Sequence, residues 1–139
     1  MVSVLVIETG LNEESNAGLY SSLWEDSLMS VFFDAGYIVS NGTILRLEKK
    51  PVKDFPDEMR VDFEEASEGG AEYFVLALLE YRDQQGRVKP SGVSLRVFSV
   101  NTRRLIYQRN FPAGTGADLD EEYTRAKEAA KTLIPYLKD

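Results

Sequence analysis

Glu8 closes the apolar run "VSVLVIET", and Glu80 lies near the end of "AEYFVLALLEYR". In open α/β sheets, ligands collect at strand ends of this kind. Two carboxylates brought together there could serve acid–base chemistry or hold magnesium. A further candidate is "FPAGTGADLDEE", residues 111–122, where Gly114-Thr115-Gly116 precede an acidic run. Such a loop cradles phosphate only when free backbone N–H groups and positive potential meet at a helix start. Here Asp118, Asp120, Glu121 and Glu122 fill the helix start. They satisfy the N–H groups themselves and repel a phosphate. The Walker lysine and the full dinucleotide spacing are missing, and the loop follows a hairpin strand. Asp118 with Asp120 also lacks the calcium-loop pattern. The glycines read as a connection into a capped, solvated helix.

The 139 residues include no cysteine and no histidine. That excludes disulfides, thiolate metal sites, Ser-His-Asp and Cys-His catalysis, and most zinc chemistry. Carboxylate, lysine and tyrosine catalysis stay open. A phosphate-accepting receiver domain would need an acidic pair after its first strand, an aspartate after its third and a lysine after its fifth. This chain offers "ETG" after the first and no regular alternation of five strands and five helices. No cofactor and no metal are expected.

Charge is uneven. Residues 82–109 carry Arg82, Arg87, Lys89, Arg96, Arg103, Arg104 and Arg109 against the single acid Asp83, a local charge of +6 within a chain of net −7. Such asymmetry steers an anionic partner to one face, although the plainer reading sets these strands beside the protein's own acidic helices. Arg96, Arg104, Tyr107 and Arg109 form the candidate partner-binding set. A nucleic-acid partner is not expected, because the chain is acidic overall and carries no recognised binding signature. Trp24, beside Glu25-Asp26, reads as core or as the margin of a helix stripe, where it could meet a partner.

The elements that must position these groups follow from periodicity. "VSVLVIET" predicts a central strand. "LYSSLWEDSLMSVFFDAG" predicts a helix with Leu19, Leu23, Leu28, Val31, Phe32 and Ala35 inward, ended by Gly36, with Ser22 and Glu25 at capping-box spacing unless the helix starts earlier. "YIVS" predicts a short second strand. Asn41-Gly42 is a hairpin signal, yet "ILRLEKKP" is short and runs into proline, which favours an irregular loop or one helical turn. "FPDEMRVDFEEASEGG" predicts a helix with Met59, Phe63 and Ala66 buried and Gly69-Gly70 as its stop. A third strand, a polar loop "DQQGRVKPSG", and a hairpin of "VSLRVFSV" with "RLIYQRNF" come next. Adjacent Val97 and Phe98 imply a bulge or burial on both sides. The last helix starts near Leu119, buries a stripe of Leu119, Tyr123, Ala126, Ala130, Leu133 and Leu137, and is disturbed by Pro135. The predicted order is β-α-β-α-β-β-β-α. It makes one α/β domain over residues 1–139, leaning to α+β, with a single mixed sheet on which the C-terminal amphipathic helix packs.

Three phrases carry a family resemblance: "SLMSVFFDAGYIVSN", "FEEASEGGAEYFVLALLEY" and "VSLRVFSVNTRRLIYQRNF". Together they resemble the small α/β domain at the N-terminus of the TolB translocation protein. Its relatives include lipoprotein activators of penicillin-binding proteins and the periplasmic part of the curli secretion lipoprotein. Two positions depart from the pattern: the family's turn glycine is Arg103, and "ETG" replaces its proline-phenylalanine. The resemblance implies a non-enzymatic protein-binding or assembly domain of the periplasm or cell envelope. Its partner would be an envelope protein or a second copy, met through a sheet edge or the basic hairpin. A leader removed before Val2, with a lipid anchor upstream, would go with that reading. No run is long enough to span a bilayer. The alternative is a cytoplasmic small-ligand-binding or carboxylate-dependent α/β enzyme using Glu8 and Glu80.

Overall fold

The computed structural model describes residues 1–11, 18–84, 87–112 and 118–137. Gly114-Thr115-Gly116 lie outside the described residues. Strand β1 (Val2–Thr9) is buried along its whole length. Helix α1 (Gly18–Asp34) follows, then β2 (Val39–Asn41) and β3 (Leu45–Leu47). A 3-10 turn over Asp57–Met59 leads into α2 (Arg60–Glu68). The chain continues as β4 (Tyr73–Gln84), β5 (Arg87–Ser99), β6 (Arg104–Pro112) and α3 (Leu119–Lys131), with a closing 3-10 turn at Ile134–Tyr136. Strand order is β2-β1-β4-β5-β6, and β3 also pairs with β1. β1 runs parallel to β2, β3 and β4, while β4, β5 and β6 form an antiparallel meander.

The sheet separates two cores because side chains alternate along each strand. Val2, Val4, Val6, Val75, Ala77, Leu79, Val93, Leu95 and Val97 meet Trp24, Leu28 and Phe32 of α1, and Ala126 and Ala130 of α3. Leu5, Ile7, Phe74, Leu76, Leu78 and Phe98 meet Met59, Phe63 and Ala66 around α2. Adjacent Val97 and Phe98 thus serve opposite cores, which is the burial on both sides read from their apolar pairing. Gly36 stops α1 at φ +96, with its N–H bonded to Phe33 O and that of Tyr37 to Phe32 O. Pro135 falls in the final 3-10 turn, beyond the end of α3.

Three elements differ from expectation. "TILRL" is neither loop nor helical turn. It forms β3, and the Asn41-Gly42 hairpin does not occur because β2 and β3 run in the same direction along one side of β1. Ser22 is no cap, since α1 begins at Gly18. α1 also turns Leu19 and Phe33 outward, at 60% and 71% exposure, and Ala35 is exposed. Trp24 is wholly enclosed, its Nε1 donating to Glu122 Oε1 at 3.0 Å and tying α1 to α3. Finally, much of "DQQGRVKPSG" is strand, paired out to Gln84 opposite Arg87. Pro90 fits there because it lies at the register shift after Glu80 and beyond Gly92, where pairing with β6 begins.

Candidate docking edge and buried carboxylate network

Glu8 continues the face of Val2, Val4 and Val6, so its carboxylate points towards α1. It is 5% exposed. Its in-register neighbour on β3 is Arg46, whose Nε donates to Glu8 Oε1 at 2.8 Å. Ser21 Oγ donates to Glu8 Oε2. The single hydroxyl proton of Ser21 is thereby used, so the Tyr81 hydroxyl, 2.7 Å away, donates to Ser21. Burial pushes the Tyr81 hydroxyl well above its ordinary value, which keeps it a proton donor. Ser21 is fully enclosed and Tyr81 almost so. The arrangement is a closed hydrogen-bonded chain that fastens α1, β1, β3 and β4 together.

Glu80 pairs in register with Thr9, on the sheet face that carries Leu5, Ile7 and α2. Lys50 Nζ lies 2.6 Å from Glu80 Oε1. Glu8 and Glu80 therefore face opposite sides of the sheet, each with its own cation. The carboxylate pair expected from their strand-end positions does not form, because their registers differ by one residue. Among the described residues, no group of His, Cys, Asp or Glu side chains is placed to hold a metal ion. Asp118 caps α3 by accepting from the Glu121 N–H at 2.8 Å, as its position before the acidic run implied.

The four candidate partner contacts divide. Arg96 is 5% exposed and lies on the α2 side of β5. Its Nη1 donates to the carbonyls of Lys53 and Asp54 at 3.3 and 2.9 Å, so it pins the connection between β3 and the turn before α2. Burial lowers its affinity for the proton, and Asp54 partly offsets this. Arg96 is thus a packing residue and not a surface contact. Arg104, Tyr107 and Arg109 share β6 and the opposite face, because they pair with Ser99, Val97 and Leu95. Tyr107 stacks on Tyr136 with ring centroids 3.9 Å apart, and Arg109 lies over Phe111 at 5.1 Å. Arg104 and Arg109 are exposed, and among the described residues neither has a carboxylate partner. Among the described residues β6 pairs on one side only, with β5, and so presents an open edge.

The residues missed in the sequence are Arg46, Ser21 and Tyr81. A signal for Arg46 existed: a buried acid at the end of an apolar strand demands a cation. Its position became clear only with β3. Arg103, where the family has glycine, adopts φ 58 in the turn between β5 and β6. Its Nη2 lies 2.5 Å from Glu64 Oε1 and its guanidinium 5.5 Å from the Phe63 ring centre. These contacts hold the turn against α2.

The architecture is a three-layer α/β sandwich, with α1 and α3 over one face of a mixed sheet and α2 over the other. Known structures share it. A point variant of PelC from Paraburkholderia phytofirmans, a dodecamer, superposes with a TM-score of 0.53 at 16% identity, over 96% of this chain and 85% of that one. A second PelC dodecamer from the same organism gives 0.50 and 19%, over 99% and 87%. TolB from Acinetobacter baumannii gives 0.45 and 11%, over 98% of this chain and 28% of its own. No protein-family model matches the chain, and no curated protein matches it. At these identities the shared property is the fold, and it is the α/β fold that the three sequence phrases imply. Among the described residues, no helix is long and apolar enough to cross a membrane.

Proposed function

We propose that residues 1–139 form one non-enzymatic docking domain of the cell envelope, working in the periplasm and binding another envelope protein or a further copy of itself. The single observation that carries this reading is β6. It is an edge strand of nine residues, exposed along most of its length, with two arginines that have no carboxylate partner among the described residues and a half-buried tyrosine. An edge of this kind offers unpaired N–H and C=O groups to an incoming strand, and its arginines select an acidic one. The contact residues are Arg104, Tyr107 and Arg109. Resemblance to the envelope family supports the compartment, and the dodecameric state of the PelC structures supports assembly as one form of docking. The carboxylate-enzyme alternative loses its footing once Glu8 and Glu80 face opposite sides of the sheet.

Affinity capture from a bacterial envelope extract tests the proposal. The native chain is expected to retain a defined envelope protein that rebinds when purified. Arg104→Glu with Arg109→Glu is expected to lose it. Equal retention by both chains contradicts the assignment of β6.

A further inference from the structure

The outer face of α1 is unusual for a surface helix. Ser21 and Ser27 face inward and are fully buried, while Leu19 and Phe33 face outward, with Ile38 beyond the helix end at 72% exposure. Leu19, Asp26 and Phe33 recur at seven-residue spacing, so they lie on one line along the helix. Large apolar side chains left exposed, as Leu19, Phe33 and Ile38 are, mark where a contact surface is to be sought. Charge identifies what covers it. Residues 1–45 contain no lysine or arginine; Asp26 on this line and Asp34 next to Phe33 are exposed, and Arg46, on β3 at the same margin, is paired with Glu8. The opposite margin of the sheet, β6, is basic.

The two surfaces also match in direction. α1 lies over β1 and β2, at one margin of the sheet, and Ile38 leads directly into β2. Arg104 and Arg109 lie at the other margin, on the same face as α1. Two copies placed edge to edge with the same face up would bring the arginines of one beside α1 of the next. Pairing β6 with β6 about a two-fold axis would instead set four arginines against one another, which is repulsive.

Resting on the docking reading, we infer that β6 of one copy seats against the α1–β2 margin of a second copy, in a head-to-tail contact held by Arg104 and Arg109 against Asp26 and Asp34 and sealed by Phe33 and Ile38. Such a contact leaves one free margin at each end, so assembly continues beyond the dimer and ends only where a ring closes.

The test is sedimentation velocity on the purified chain, over a concentration series at low and high salt. The native chain is expected to form species larger than a dimer, weakened by salt. Arg104→Glu/Arg109→Glu alone and Asp26→Lys/Asp34→Lys alone are each expected to weaken association about tenfold or more. Mixing the two variants restores it, because each reversed surface then meets its complement. Phe33→Ser/Ile38→Ser weakens association irrespective of salt. Thermal melts confirm that each variant is folded. A native chain that stays monomeric at every concentration overturns the inference, as does assembly that stops at a dimer or a mixture no better than its components. A monomer that still captures an envelope protein overturns this contact and leaves the docking reading standing. A chain that assembles but captures nothing upholds the contact and removes the foreign partner.

Discussion

Replacing Arg46 with methionine isolates the role of the buried carboxylate. The stem of the side chain remains and the guanidinium is lost. Glu8 then keeps Ser21 as a donor but loses its cation. Breaking a fully buried pair by removing one partner costs about 3–5 kcal/mol, whereas an exposed pair contributes about 0–1 kcal/mol. Glu8 is enclosed, but the Arg46 side chain is 30% exposed. An intermediate loss of about 2–3 kcal/mol follows from those two limits. For a chain of this length that corresponds to a fall in Tm of roughly 5–10 °C. Removing both charges, as Glu8→Leu with Arg46→Met, takes away the buried carboxylate together with its cation, and the Ser21 and Tyr81 hydroxyls still bond to each other. The double variant is expected to lie within about 1 kcal/mol of the native chain, hence above the Arg46→Met single variant. Urea denaturation with a constant m value measures all three. If Arg46→Met changes stability by less than about 0.5 kcal/mol, or if the double variant is the weaker of the two, the closed network is not what joins α1 to the sheet.

Three further outcomes are expected. Arg103→Gly relieves a left-handed φ but gives up the Glu64 pair and the Phe63 contact, so its stability is expected within about 0.5 kcal/mol of native, while Arg103→Val, β-branched at the same φ, costs about 2 kcal/mol or more; chemical denaturation of both checks this. Gly10→Ala is expected to destabilise by about 2 kcal/mol or more, since φ is +83 and a Cβ there would run into the Tyr81 carbonyl; a melt showing no change refutes the close approach. Burial raises the carboxyl of Asp62 above its ordinary value, so the folded chain holds that proton more tightly than the unfolded one. Its stabilising contribution is present at low pH and is lost as pH rises from the ordinary aspartate range through the raised folded value. Asp62→Asn is therefore expected to gain stability relative to native at neutral pH more than at acidic pH, and an equal difference at both excludes the effect.

Much of this architecture was legible from spacing alone. Gly36 and Gly70 at helix ends, the stripe of Met59, Phe63 and Ala66, and the alternation through Val97 and Phe98 each follow from local chemistry. β3 was hidden because three residues hold it, and their pairing is with β1, far away in sequence. Position 8 announced a buried acid, but the cation it needs lies 38 residues on and enters only through that same register. Glu80 looked equivalent to Glu8 because strand ends can be counted, whereas the side of the sheet depends on a one-residue offset. Arg96 misled for the same reason: alternation places it on the α2 face, opposite to Arg109, and only the path of residues 53–54 shows why it is covered. Arg103, which stands where the resembled pattern has glycine, takes a left-handed backbone that its residue type did not announce.

The most direct measurement is hydrogen exchange along residues 104–112, in the free chain and in the complex recovered from envelope extract. Docking through the open edge requires the outward amides of β6 to exchange fast when free and to become protected on binding, with the Glu8 network unchanged. Protection confined to other surfaces, with β6 exchanging as before, contradicts the central claim.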